Sequence, residues 1–142
     1  MTKLATLLIS FSLATASLTS VAAPNNYPYL FEQLKKPTYK SSFRSLFKNQ
    51  KNIEPWVRGY IKSSNGVDTP GERRLIQGKA YELYKVCEPH NCGGNFLYVI
   101  TEPKGIRAWA LLTKEKEISR YFGNPPQDIK SELEAIAAAA AQ

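Results

Sequence analysis

The chain has 142 residues, one His, two Cys and a formal charge of +7. That length suits a single domain, since domains most often run about 100–150 residues, and it excludes a TIM barrel or a Rossmann enzyme with a separate substrate domain. One His and two Cys exclude a zinc-finger array or a four-cysteine cluster, while 43% hydrophobic and 22% charged residues make a globular composition.

Residues 1–22 read as a Sec signal peptide. Lys3 is the positive start, residues 4–18 are an apolar run broken by Ser and Thr, and Ser20 and Ala22 are the small residues before a cut after Ala22. The run is shorter than the roughly 20 apolar residues of a bilayer-spanning helix, so no membrane span is expected. The expected mature chain is a single domain, 23–142. Export would place it in an oxidising compartment, where Cys87 and Cys92 should pair.

Residues 27–36 are a short helical candidate that Pro37 stops. Residues 38–48 are a second, with Tyr39, Phe43, Leu46 and Phe47 on one stripe and Lys40, Arg44 and Lys48 on the other side. The period then changes. Residues 56–61 read as a strand after Pro55. Residues 73–76 and 80–87 are strand candidates around a Gly78 turn. Residues 95–102 carry Phe-Leu-Tyr-Val-Ile, β-branched and aromatic. Residues 102–105 are a Pro/Gly turn, so 95–113 is a hairpin. Residues 117–122 are a weaker last strand. Asn124 as N-cap and Pro125 at the first position open a helix bearing Ile129, Leu133 and Ile136 on one face. The order predicts an α+β fold, an antiparallel sheet of about five strands with helices on one face. Trp56, Trp109 and most Tyr and Phe are core candidates.

The informative stretch is Val86-Cys87-Glu88-Pro89-His90-Asn91-Cys92-Gly93-Gly94, at the tip of a predicted hairpin. Pro89 fixes its own φ and pushes Glu88 towards an extended conformation. Gly93 and Gly94 allow backbone angles other residues resist. A disulfide across this tip would make a small rigid knuckle with the chain's one His near its apex. Other readings compete: a bare staple at a hairpin end, or a solvated His. Cys87, His90 and Cys92 could be three metal ligands, but no fourth is visible and oxidation removes the thiolates. The spacing is not the Cys-x-x-Cys of redox proteins.

The loop resembles the Cys-Lys-Pro-His-Asp-Cys signature of the inhibitors of vertebrate lysozyme, the Ivy family. The stretch from Ser42-Phe43 to Pro55-Trp56-Val57 is similar to the family's helix followed by a Trp-Val strand. Gln77-Gly78-Lys79-Ala80-Tyr81 resembles the family's approach to the loop. Glu88 and Asn91 stand where the signature has Lys and Asp. The resemblance covers residues 38–113. It implies a periplasmic inhibitor of c-type lysozyme, not an enzyme, with no cofactor. It implies that the loop residues Glu88, Pro89, His90 and Asn91 plug the substrate cleft, with His90 hydrogen-bonding the catalytic carboxylates. Family members can be dimeric, so a homodimer stays open.

A second reading is a cationic periplasmic module for anionic envelope components, built on Arg73-Arg74, Lys35-Lys36, Arg44 and the cations at 48–51. No aromatic-basic RNA signature is present, and export argues against nucleic acid. No nucleophile–base pair, metal set or phosphate loop points to an enzyme.

Overall fold

The computed structural model describes residues 27–142; the leader expected at 1–22 lies outside the described residues. Three helices come first: α1 (Leu30–Gln33), α2 (Pro37–Phe47) and α3 (Pro55–Ser63). The strands follow: β1 (Val67–Asp68), β2 (Glu72–Ile76), β3 (Lys79–Cys87), β4 (Phe96–Thr101), β5 (Ala108–Lys114) and β6 (Glu117–Phe122). Helix α4 (Gln127–Ala140) is last. All pairings are antiparallel. Strands β3 to β6 lie side by side in chain order, while β1 and β2 share the outer edge of β3. This is the expected α+β architecture, with the short β1 as a strand that sequence reading misses.

The helices do not all lie on one face, which corrects the expectation. Tyr84, Val86, Leu97, Val99, Ala110 and Leu112 point to a core shared with Leu30, Phe43, Leu46, Val57 and Tyr60 of α1–α3. Their strand neighbours Leu83, Tyr98, Ile100, Trp109 and Leu111 point the other way, onto Ile129, Leu133 and Ile136 of α4. Side chains alternate between the two faces of a strand, so a sheet covered on both sides buries nearly every residue of β4 and β5. That is the physical reason for the unbroken apolar runs at 97–100 and 108–112.

Two element assignments are also corrected. Residues 56–61, expected as a strand, are the body of α3. Pro55 occupies the first turn, where its missing N–H costs nothing. Val57 and Tyr60 are fully buried and Trp56 and Ile61 pack beside them, a three-to-four-residue spacing that outweighs the β-favouring composition. Helix α4 begins at Gln127, not at Pro125, with Pro126 at its N-cap. Asn124 is left-handed (φ 49°), whereas an N-cap residue is extended. Pro125 precedes a second proline, which disfavours helical angles there.

Helix α3 is tied to β1 by the Tyr60 hydroxyl, which donates to Asp68 Oδ2 at 2.9 Å. Burial raises the Asp68 pKa; the hydrogen bonds from Tyr60 and the Phe31 amide pull it the other way and do not cancel it. The native state therefore holds the Asp68 proton more tightly than the unfolded chain does. Stability from this group is largest below the unfolded carboxylate value and is lost as pH rises through the raised one. Asp68→Asn keeps an acceptor for Tyr60 and removes the charge. We expect its melting temperature to overtake that of the native protein as pH rises above about 4, the unfolded value, read by thermal unfolding across a pH series.

Candidate functional site

Strand β3 ends at Cys87 and β4 begins at Phe96, paired with each other across the sheet. The intervening residues form the site. Cys87 and Cys92 are joined by a disulfide, with Cα atoms 5.1 Å apart. Cys87 is buried at the strand end, Glu88 is half-buried, and Pro89, His90 and Asn91 are exposed. The structure thus brings all six predicted loop residues into one projecting tip.

The tip is a four-residue turn over 88–91. The Asn91 amide donates to the Glu88 carbonyl at 3.0 Å. Pro89 takes the second place, and His90 the third, with φ 64°. Proline followed by a left-handed residue is the pattern of a type II turn. Glycine or asparagine usually fills the third place, because a β-carbon there costs about 1–2 kcal/mol. His90 sits there with its imidazole in solvent, so nothing in the packing explains its choice. Among the described residues, eight other non-glycine residues share a positive φ, so what singles out His90 is its exposed place at the apex of the disulfide-closed turn.

Two side chains close the turn from outside. Asn91 Nδ2 donates to Glu88 Oε2 at 2.9 Å. The family signature would place a donor first and an acceptor last, Lys then Asp; here the acceptor comes first. The pair holds the two shoulders of His90 together with one charge instead of two.

The root of the loop is clamped by the turn between β5 and β6. Asn95 is 7% exposed and bridges both sides. Its Nδ2 donates to the Asn91 carbonyl at 3.4 Å, and its Oδ1 accepts from the Glu115 amide at 3.3 Å. Its own carbonyl accepts from the Glu88 amide at 3.0 Å. The Gly94 carbonyl accepts from the Lys116 amide at 3.0 Å and from the Thr113 hydroxyl at 3.1 Å, and Thr113 Oγ1 takes the Phe96 amide at 3.1 Å. Sequence reading misses Asn95, Thr113 and the 115–116 turn. Their one signal is register: Leu97 faces Leu112, which brings 113–116 beside the loop.

Gly94 is needed for this approach. A β-carbon on it would stand 2.7 Å from the Lys116 nitrogen, and a backbone atom cannot swing aside. Gly94→Ala should therefore cost roughly 1–3 kcal/mol, the range for overpacking a tight site. Urea unfolding of the variant measures this.

Among the described residues no group of three His, Cys, Asp or Glu side chains could hold a metal ion, and no helix is long and apolar enough to cross a membrane. The predicted basic cluster does not form one patch. Arg74 pairs with Glu72 at 3.1 Å and faces Glu132 of α4 at 3.8 Å, on the side of the sheet away from α1–α3.

Comparison with known proteins fits this geometry. The family described as inhibitor of vertebrate lysozyme (Ivy) matches residues 39–141. The chain is 33% identical over 93 residues to an inhibitor of vertebrate lysozyme from Pseudomonas aeruginosa, covering 65% of this chain and 58% of that protein. It is 28% identical over 98 residues to an uncharacterised protein of Yersinia pestis, covering 69% and 61%. The chain thus spans about three fifths of the length of these relatives.

Proposed function

The chain belongs to the inhibitor of vertebrate lysozyme (Ivy) family, and from that premise we propose that it acts in the periplasm by binding a c-type lysozyme and blocking its cleft. It works by occupation and not by catalysis. The blocking element is the disulfide-closed turn of Glu88, Pro89, His90 and Asn91, with His90 as the contact that matters most. The observation that carries this reading is the exposed His90 at the apex of a tip fixed from both sides.

The chemistry suits such a role. Retaining glycosidases use two carboxyl groups about 5–5.5 Å apart, one protonated and one ionised. A neutral imidazole has one N–H that donates to the ionised carboxylate and one bare nitrogen that accepts from the protonated acid, and the two bonds together cover that gap. A ligand there excludes the sugar and occupies the acid and the nucleophile together. A rigid tip also avoids ordering costs of about 0.5–1.5 kcal/mol per immobilised side chain.

The test is the clearing of a cell-wall suspension by a c-type lysozyme, followed by turbidity, with added chain lacking residues 1–22. Dose-dependent inhibition at stoichiometric inhibitor supports the reading; undiminished clearing at large excess rejects it. Fractionation of the cells that make the full chain tests its place in the periplasm.

A further inference from the structure

Helix α2 carries a cation every fourth residue: Lys36 at its N-cap, then Lys40, Arg44, and Lys48 at its C-cap. The row works partly against the helix, although Arg44 and Lys48 at its C-terminal end suit its dipole. Like charges four apart destabilise it, and cations at its N-terminal end oppose its dipole. No acid stands in the first turn to offset them. Among the described residues, no ion pair engages Lys40, Arg44, Lys48 or Lys62. All four side chains are exposed and contribute no burial to the core.

The row borders a trough. One groove, of about 360 Å³, lies among α1, α2 and α3 and is lined by Lys35, Lys40, Arg44 and Lys62 over Phe31 and Ile61. A second, of about 790 Å³, continues along α2 to Lys48. Both share Lys40, Arg44 and Ile61, so they run together. Lys40 to Lys48 rises about 12 Å along the helix, one cation per roughly 6 Å. Arrayed charge of one sign along about 12 Å of an open groove fits a chain of opposite charge. A single small anion could meet only part of it.

We propose that the trough along α2 binds an extended polyanion bearing phosphate groups, and that it does so independently of the 87–92 loop. Successive phosphates contact Lys40, Arg44, Lys48 and Lys62 along the trough. Such binding must weaken linearly with salt on logarithmic axes, by about 0.7–0.9 per contact. It must also need a polymer, because free phosphate gains nothing from the repeat of charge.

The experiment titrates the chain lacking residues 1–22 with long-chain inorganic polyphosphate at several salt concentrations. Inorganic phosphate and phosphatidylglycerol vesicles are titrated in parallel. We expect polyphosphate to bind with a steep salt slope and phosphate ion not to bind. Lys40→Ala/Arg44→Ala should lose roughly tenfold in affinity at low salt and flatten the slope by about one to two. Its lysozyme inhibition and its circular dichroism should match the native protein. Lys79→Ala/Lys130→Ala removes the same charge elsewhere and should change affinity less than about twofold. Equal losses in the two double variants would show spread charge and overturn the site. So would binding to vesicles without binding to polyphosphate, or no polyphosphate binding at low salt.

Discussion

Replacing His90 with alanine is expected to weaken inhibition of a c-type lysozyme roughly 30- to several-thousand-fold, because truncating one partner of a buried, charge-assisted contact costs about 2–5 kcal/mol. Unfolding should hardly change. His90 is exposed and packs against nothing in either core cluster. Alanine keeps the β-carbon, so the left-handed strain stays. His90→Asn separates the two contributions further. Asparagine tolerates the left-handed region, so the turn should survive, but it cannot place a ring nitrogen at each of two acids. It should inhibit nearly as poorly as the alanine variant while being at least as stable as the native chain. Inhibition constants and melting curves for the three proteins decide the matter. Equal inhibition by all three would move the functional contact away from residue 90.

The second large effect concerns the disulfide. Cys87→Ala/Cys92→Ala should lower stability by about 2 kcal/mol, the chain-entropy value for so small a ring. It should lower inhibition more than that loss alone explains. Without the bond, the Cys92 arm of the tip is held through the Asn91–Glu88 and Asn95 hydrogen bonds and, further back, through the Gly94 carbonyl. Turn residues that were fixed beforehand must then be ordered on binding, at about 0.5–1.5 kcal/mol for each side chain immobilised. Because the variant remains mostly folded at low denaturant, its inhibition can be measured on folded protein. The expected pattern is an unchanged maximum at saturation with a weaker binding constant. An unaltered binding constant would mean that the hydrogen bonds of Asn95 suffice to hold the tip.

The layers of the fold were partly legible in the residues. The helical stripe of Tyr39, Phe43, Leu46 and Phe47 is buried as its spacing implies. The runs at 97–100 and 108–112 carried more information than sequence reading took from them. A strand without polar alternation is covered twice, and so α4 had to lie opposite α1–α3. Trp56 and Ile61 misled because their composition favours strands while their spacing favours a helix. Pro126 was the unread signal at the start of α4. Strand β1 is two residues long and gains its place from pairing with Val86 and Cys87, contacts invisible to any local pattern.

The candidate site divides the same way. Cys87, Pro89, His90 and Cys92 declare themselves by type and spacing, because a turn is built from neighbours along the chain. Asn95 and Thr113 do not, because their importance comes from a partner about 20 residues away in the chain. Only the strand register connects them, and register is a property of the assembled sheet.

The loop is built in two parts that answer to different constraints. Its root, Gly94, Asn95 and Thr113, is locked into the sheet, where a change is penalised whether or not any target is present. Its crest, residues 88–91, buries almost nothing, so a change there is nearly silent until a target is met. Selection by stability and selection by recognition therefore fall on separate residues. Such a protein can revise the surface it presents without risking its fold, one step at a time and in pairs such as 88 and 91 that keep the crest closed. The exchange of donor and acceptor across His90 is what a revision of that kind looks like, and it predicts that relatives will vary at 88 and 91 while holding His90 and the root.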